Sequence, residues 1–193
     1  MTIPMIGPDV KGLERAAMVH PTACLYGDVD LGQDVSVWCN VVVRAESAFV
    51  RIGARTNLQD FVMVHVGTGP TLVGEDCSIT HHVTIHGCEI GDACLIGINA
   101  VIMDNAVIGA GSIVAGGAFV KEGTVIPPNS IVMGAPAGVK RTRDSSIPNR
   151  MNAFMYVENA KGYARGDFRV WSGEAFRAAS QRQRERLMAG VAE

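Results

Sequence analysis

Aromatic side chains are scarce in this chain. Phe, Trp and Tyr make up 6% of the 193 residues, whereas apolar residues of every kind make up 48% and glycine occurs 22 times. A chain of this length can bury one sizeable core and still carry an accessory segment. Because large rings are few, that core must be filled by small and branched aliphatic side chains.

Long apolar runs and a strong net charge are absent as well. No stretch approaches the roughly 20 apolar residues of a membrane span, and residues 1–8 lack the basic residues and the apolar run of a signal peptide. The formal net charge is -2, so the overall composition does not favour binding to nucleic acid or to a membrane surface. We therefore expect a cytoplasmic protein without nucleic acid or membrane partners.

The five cysteines include no Cys-x-x-Cys pair, which favours reduced thiols over a disulfide framework. Charge is divided unevenly along the chain. Residues 140–193 carry 11 Lys and Arg against 6 Asp and Glu, so a basic tail follows an acidic body. We expect the tail to pack on the body or on a neighbouring subunit.

A six-residue repeat runs through most of the chain. From residue 90 onward an aliphatic residue returns at every sixth position, namely at Ile90, Ile96, Ile102, Ile108, Val114, Val120, Ile126 and Val132. This period fits neither an α-helix nor a series of hairpins. It fits a parallel β-helix in which three short flat faces make one coil of about 18 residues, with coils about 4.8 Å apart. Cys77 and Cys94 fall at small inward positions, where we expect them to fill the core.

Interruptions of the period indicate which residues stack on one another. Two nine-residue intervals replace the usual six, and counting faces through them places Val43, Val64 and Ile85 on one face of three successive coils. Leu58 and Ile79 share the next face by the same count. Side chains that lie one residue after these aliphatic positions on the first face, or two residues after them on the next face, should therefore form columns along the edges of the prism.

Polar residues occupy two such columns. The first column contains Arg44, His65 and His86, with Glu46 nearby. The second column lies on the next face and contains Asp60 and His81, beside Gln59. His82 should point away from His81 and His20 precedes the first coil, so we expect neither to be a ligand.

Three of these histidines together predict a metal centre. His65 and His86, one coil apart, are close enough to share a metal ion, whereas His81 lies on a different face of the prism. If three prisms pack side by side, His81 of a neighbouring chain meets His65 and His86, and a closed ring of contacts makes three equal sites. Three neutral imidazoles with an open fourth position are typical of a catalytic zinc site, which makes hydroxide available at neutral pH.

Two further side chains have candidate roles around this metal. Arg44 could orient an acidic neighbour or bind an anion, and Gln59 could hold the metal-bound water by a hydrogen bond. A purely structural pairing of Arg44 with Glu46 or Asp60 is the alternative for Arg44.

The chain divides into three segments on this reading. Residues 1–20 form an irregular lead-in, residues 21–138 the hexapeptide-repeat β-helix, and residues 139–193 a helical C-terminal segment. Pro136 and Gly138 end the repeat. Residues 149–164 and 174–190 have helical spacing, and we expect Ser172 to be the N-cap of the second helix.

Several phrases resemble the gamma-class carbonic anhydrase family of hexapeptide-repeat proteins over roughly residues 18–140. They are Val43-Arg-Ala-Glu46, Thr56-Asn-Leu-Gln-Asp60, Val64-His65, Thr80-His81, His86-Gly-Cys-Glu-Ile-Gly91, Ile126-Pro-Pro-Asn and Gly134-Ala-Pro-Ala. The resemblance implies an all-β chain folded as a left-handed parallel β-helix with C-terminal α-helices. It also implies a homotrimer whose intersubunit sites hold zinc, or alternatively iron or cobalt, through His65, His86 and a neighbour's His81.

Further residue roles follow from the resemblance alone. Arg44 and Asp60 would form an intersubunit salt bridge, Gln59 would lie beside the metal water, and Asn57 would belong to the same network. Tyr156 is similar to a tyrosine near the site on the C-terminal helix of short members of the family.

The resemblance implies a zinc-dependent lyase that hydrates carbon dioxide reversibly. Two departures bear on that expectation. Glu46 stands where the family usually has aspartate, and the interval between His65 and His81 lacks the acidic loop with a proton-shuttle glutamate, since Glu75 and Asp76 are its only acids. The alternatives are an acyl-CoA thioesterase or acyltransferase of the hexapeptide-repeat superfamily, acting on a small-molecule substrate, and a non-catalytic metal-binding scaffold.

Overall fold

A computed structural model describes residues 4–190 of the chain. Residues 1–3 of the expected lead-in and residues 191–193 of the expected C-terminal segment lie outside the described residues. Eighteen strands precede two α-helices: β1 Met18–Val19, β2 Cys24–Leu31, β3 Ser36–Val37, β4 Val42–Ile52, β5 Asn57–Leu58, β6 Met63–His65, β7 Thr71–Val73, β8 Ser78–Ile79, β9 Thr84–His86, β10 Glu89–Ile90, β11 Leu95–Ile96, β12 Val101–Ile102, β13 Val107–Ile108, β14 Ile113–Val114, β15 Phe119–Val120, β16 Val125–Ile126, β17 Ser130–Met133 and β18 Gly138–Thr142.

Strands one coil apart pair in parallel and build a prism with three faces. The first face contains the start of β4 followed by β6, β9, β12 and β15. The second face contains β1, β3, β5, β8, β11, β14 and β17. The third face contains the end of β4 followed by β7, β10, β13 and β16. The 11-residue strand β4 crosses from the first face to the third, which accounts for the first nine-residue interval in the repeat.

The register agrees with the face count made from the sequence. Val43 pairs with Val64 and Val64 pairs with Ile85 on the first face. Leu58 pairs with Ile79 on the second face. Both predicted stacks are therefore confirmed.

Aliphatic side chains fill the prism from end to end. The branched residues of successive coils, among them Ile85 and Ile102, have no exposed surface. Cys77 and Cys94 are equally buried within the same core cluster, so their predicted role as core fillers is confirmed. Each buried aliphatic side chain of this size contributes about 1.5–3 kcal/mol relative to an exposed one.

The N-terminal lead-in makes isolated parallel bridges between Ile6 and Leu25 and between Lys11 and Asp30, and β1 pairs with β3. This segment therefore forms part of a first coil below β2. The three-segment division of the chain stays a prediction.

The C-terminal segment contains helix α1, Ser146–Tyr163, a short 3-10 turn at Val170–Ser172, and helix α2, Glu174–Met188. Helix α1 packs on the second face against β1, β3, β5 and β8. Strand β18 pairs antiparallel with β17, a feature that the repeat pattern did not predict. The expected Ser172 N-cap is wrong: Gly173 occupies that position, because the 3-10 turn directs the Ser172 hydroxyl to the Arg169 carbonyl at 2.8 Å.

Asp76 fixes α1 to the body of the prism. Its carboxylate, only 8% exposed, accepts a bond from Arg55 Nε at 2.6 Å on the same corner and another from Arg150 of α1. The basic tail thus packs on the acidic body here. No helix within residues 4–190 has both the length and the apolar character that a membrane span requires.

Candidate metal centre

His65 and His86 lie at the centre of the candidate site, as the last residues of β6 and β9. They are register partners on adjacent coils, with Arg44 paired to His65 one coil below. His65 Nδ1 lies 3.0 Å from His86 Nε2, and the two ring centroids are 4.9 Å apart. The predicted column of Arg44, His65 and His86 is therefore present at the edge where the first face ends.

A carboxylate lies at each end of this histidine pair. On one side His86 Nδ1 contacts Asp104 Oδ2 at 2.9 Å. On the other side His65 Nε2 contacts Glu46 Oε2 at 3.0 Å, while Arg44 Nη1 donates to Glu46 Oε1 at 2.7 Å. The predicted proximity of Glu46 to the column is thus observed.

The environment of Glu46 favours its charged form. Partial burial acts to raise the pKa of this carboxyl, but its hydrogen bond with the backbone and the neighbouring Arg44 and His65 outweigh that effect and lower the pKa below its ordinary value. The edge therefore presents negative charge next to His65, which favours the approach of a cation.

The facing ring nitrogens fit a divalent metal ion. Two imidazole nitrogens bound to one zinc ion at about 2.0–2.1 Å in tetrahedral geometry stand about 3.3 Å apart, close to the 3.0 Å between His65 Nδ1 and His86 Nε2. Imidazole is a preferred ligand of zinc, iron and cobalt. Both histidines are partly exposed, so a metal can reach them from the side of the prism.

His81 lies at a different corner, in the turn that follows β8 of the second face. Its Nδ1 contacts Asp60 Oδ2 at 3.1 Å, as the predicted second column requires. Within residues 4–190 of one chain, no three His, Cys, Asp or Glu side chains are close enough together to hold a metal ion. A three-ligand site therefore needs a group from outside the chain.

Gln59 and Asn57 lie beneath α1 on the second face rather than beside the histidine pair. Gln59 Nε2 donates to Asn57 Oδ1 at 2.9 Å, and both side chains are buried. Asn57 Nδ2 donates to Ser78 Oγ at 3.0 Å, and that hydroxyl donates to Asn152 of α1 at 3.0 Å. This network connects the second face to the helix.

Tyr156 projects from α1 toward the same corner. Its ring packs edge to face on Trp38, with centroids 5.7 Å apart. Burial raises the pKa of its phenol, and the negative charge of Asp60 raises it further. The predicted site residues therefore fall into two groups, an edge group of Arg44, Glu46, His65 and His86 and a corner group of Asn57, Gln59, Asp60, His81 and Tyr156.

Two histidines lie outside both groups. His82 is exposed and stacks on Phe61, with ring centroids 4.9 Å apart and planes 2° from parallel. His20 Nδ1 contacts the Thr22 hydroxyl at 2.9 Å. Sequence reasoning overlooked Asp104, although its position two residues after Ile102, in the coil above His86, is a signal that could have identified it.

Comparison with known proteins supports the interpretation of these motifs. Residues 87–122 match the sequence profile described as bacterial transferase hexapeptide (six repeats). The chain is 47% identical over 149 residues to the "Probable carbonic anhydrase" of Methanocaldococcus jannaschii, a match covering 76% of this chain and 94% of that protein. It is 36% identical over 92 residues to the mitochondrial gamma carbonic anhydrase 3 of Arabidopsis thaliana, which covers 44% of this chain and 36% of that protein.

The chain belongs to the gamma-class carbonic anhydrase family. A crystal structure of a hexapeptide transferase family protein from Anaplasma phagocytophilum is 27% identical, with a TM-score of 0.72 over 82% of this chain and 91% of that one. The stacked coils are thus the left-handed parallel β-helix of hexapeptide-repeat proteins, and the predicted fold class and resemblance are both confirmed. Among residues 4–190, Asp104 is the one residue at this edge that the structure adds to the predicted site residues.

Proposed function

We propose that the protein is a metal-dependent carbonic anhydrase that acts as a homotrimer. In each of three equal sites, His65 and His86 of one chain and His81 of the next hold a metal ion, with zinc as the first choice and iron or cobalt as alternatives. When bound, the metal lowers the pKa of water to near 7 and so supplies hydroxide at neutral pH. Overall, one water and one carbon dioxide would give one bicarbonate and one proton, the proton being released when the water ionises to hydroxide.

One observation carries this proposal. Two ring nitrogens face each other 3.0 Å apart, yet within residues 4–190 of a single chain a third ligand is not within reach. The half-exposed His81 lies on another corner, where a cyclic arrangement brings it to a neighbour's edge.

The two residue groups have complementary tasks in this arrangement. In the edge group, Arg44 holds the Glu46 carboxylate, and Glu46 in turn fixes the ring of His65. In the corner group, Asp60 fixes the ring of His81, while the buried Asn57 and Gln59 connect the second face to α1. Arg44 and Asp60 can meet only where one chain's edge lies against the next chain's corner.

Substitution of one histidine tests the proposal against a matched control. His86→Ala should lose bound metal and carbon dioxide hydration together, measured by elemental analysis and by stopped flow. His82→Ala removes an exposed imidazole that is only stacked on Phe61, so it should retain both. Equal hydration by the two variants would contradict the proposal.

A second function has one structural observation in its favour. A groove of about 360 Å³ lined by Met103, Phe119, Lys121 and Glu122 lies on the coils beyond His86. Its lysine and apolar side chains suit part of an acylated coenzyme A thioester, the substrate of the thioesterase or acyltransferase alternative. Steady-state assays with acetyl-CoA and phenylacetyl-CoA test it: turnover that survives His86→Ala would favour this function, and no turnover with wild type would exclude these two substrates. A scaffold would bind metal and show neither activity.

A further inference from the structure

Asp104 was not among the predicted site residues, yet its side chain contacts a histidine of the candidate metal centre. It lies in the turn after β12, one coil above His86, and its Oδ2 is 2.9 Å from His86 Nδ1. An ionised carboxylate only accepts hydrogen bonds, so this contact favours the tautomer that carries its hydrogen on Nδ1. Nε2 of the same ring then directs its lone pair toward His65 and the space where a metal would bind.

Two glycines lie next to this carboxylate and leave space for it. A Cβ at Gly67 would lie 1.5 Å from Asp104 Oδ1 and 2.9 Å from His86 Nδ1. A Cβ at Gly87 would lie 2.3 Å from the same oxygen, and Gly87 has a φ of +55° that disfavours other residues. The two glycines therefore form a cradle that holds the carboxylate against His86.

This placement is unfavourable for Asp104 considered alone. Its Oδ1 is buried and has no hydrogen-bond partner within residues 4–190. A buried acceptor left unpaired typically costs about 1–3 kcal/mol. If Asp104 served only to join neighbouring turns, we would expect both of its carboxylate oxygens to be hydrogen-bonded.

Asp92 occupies the same position of the repeat as Asp104 but makes a different contact. It lies two residues after Ile90, just as Asp104 lies two residues after Ile102, and it also packs over a glycine of the coil below. Its Oδ1 accepts a hydrogen bond from the Glu75 backbone N–H at 2.8 Å, which joins the turns of two neighbouring coils. Asp104 instead directs its carboxylate to a histidine ring.

We infer that Asp104 is a positioning residue that fixes the ring orientation and tautomer of His86, so that Nε2 is presented to a metal ion. The inference rests on the proposed function for its purpose, whereas the ring contact itself can be tested on the metal-free protein. Carboxylates that orient a histidine ligand typically contribute about 10–100-fold in metal affinity.

The first test examines the metal-free ring. In wild type, nitrogen-15 NMR of the labelled histidines should show hydrogen on His86 Nδ1, whereas Asp104→Ala should lose that signal and place hydrogen on Nε2. Asp92→Ala, which removes a carboxylate from the equivalent repeat position, should leave the His86 ring unchanged. An identical His86 signal in wild type and Asp104→Ala would overturn the inference.

Metal affinity, measured by competition with a chromophoric chelator for zinc and then for cobalt, provides the second test. Asp104→Ala should bind about 10–100-fold more weakly than wild type, with an altered visible spectrum of the cobalt form, while Asp92→Ala matches wild type. If wild type itself binds no metal, the proposed function fails and the NMR result alone decides the role of Asp104. If wild type and Asp104→Ala bind equally tightly, the inference fails and the proposed function stands.

A pair of glycine variants protects the test against a folding defect in Asp104→Ala. Gly67→Ala fills the cradle without removing the carboxylate, and its methyl group crowds both Asp104 and His86 Nδ1, so it should disturb the same contact and change the NMR signal and the affinity in the same direction as Asp104→Ala. Gly69→Ala adds a methyl group on the same loop at an ordinary 4.0 Å from Asn105 and should behave as wild type. Wild-type behaviour of Gly67→Ala would contradict the inference.

Discussion

Complementation between two inactive chains is the sharpest consequence of a site divided between subunits. His81→Ala removes the ligand of the corner group and His86→Ala removes one from the edge group, so neither variant alone forms a complete site. In a closed ring of three, each site takes its edge from one chain and its corner from the next. Random assembly of the two variants in equal amounts then completes about a quarter of the sites.

Loss of folding is not expected to account for the defect of His81→Ala. Its contact with Asp60 is 3.1 Å long but more than a third of the His81 side chain is exposed, so the pair should contribute less than about 1 kcal/mol. The assay is metal content and hydration rate of co-expressed, separately tagged chains, compared with each variant alone. Failure of the mixture to exceed the single variants, with mixed oligomers demonstrated, would refute a shared site.

Four further predictions concern packing and titration. Ile102→Ala should lower the free energy of unfolding in denaturant by about 2–5 kcal/mol, because the side chain has no exposed surface. Cys88, whose pKa burial raises to about 12, should resist alkylation at pH 8 until the protein unfolds, as mass spectrometry would show. Asp60→Asn should lower the pKa of Tyr156 in a spectrophotometric titration, since the Asp60 charge contributes to its raised value. The Asp144 carboxylate accepts a hydrogen bond from the first backbone N–H of α1, and this bond lowers the pKa of Asp144. The charged carboxylate therefore stabilises the fold above the pKa of Asp144 in the unfolded chain, and this stabilisation is lost as pH falls through the lower folded pKa. In thermal unfolding, Asp144→Ala should lack this loss of stability at low pH.

The fold of the repeat region was predictable from the sequence because every coil must fill the same core with aliphatic side chains. Every sixth residue must be aliphatic to fill the prism, so an interruption of the period marks an irregular coil. The interruption after Val43 corresponds to the long strand β4, and the one after Val64 to a loop between β6 and β7. The same count placed His65 beside His86 without any knowledge of side-chain contacts.

Side-chain contacts that the six-residue repeat does not report could not be predicted in the same way. Asp104 reaches His86 across 18 residues because two glycines leave space for it, and the hexapeptide pattern treats it like Asp92. Ser172 resembled an N-cap in sequence, but a 3-10 turn directs its hydroxyl backward to Arg169. The antiparallel β18 lies beyond the repeat and had no periodic signal.

Metal content together with carbon dioxide hydration, on one preparation before and after chelation, tests the central claim most directly. The account predicts about one metal ion per chain in a ring of three equal sites, with hydration lost on chelation and restored when zinc, iron or cobalt is returned. Metal bound at that ratio without hydration would contradict the catalytic claim, and absence of bound metal after loading would contradict the site itself.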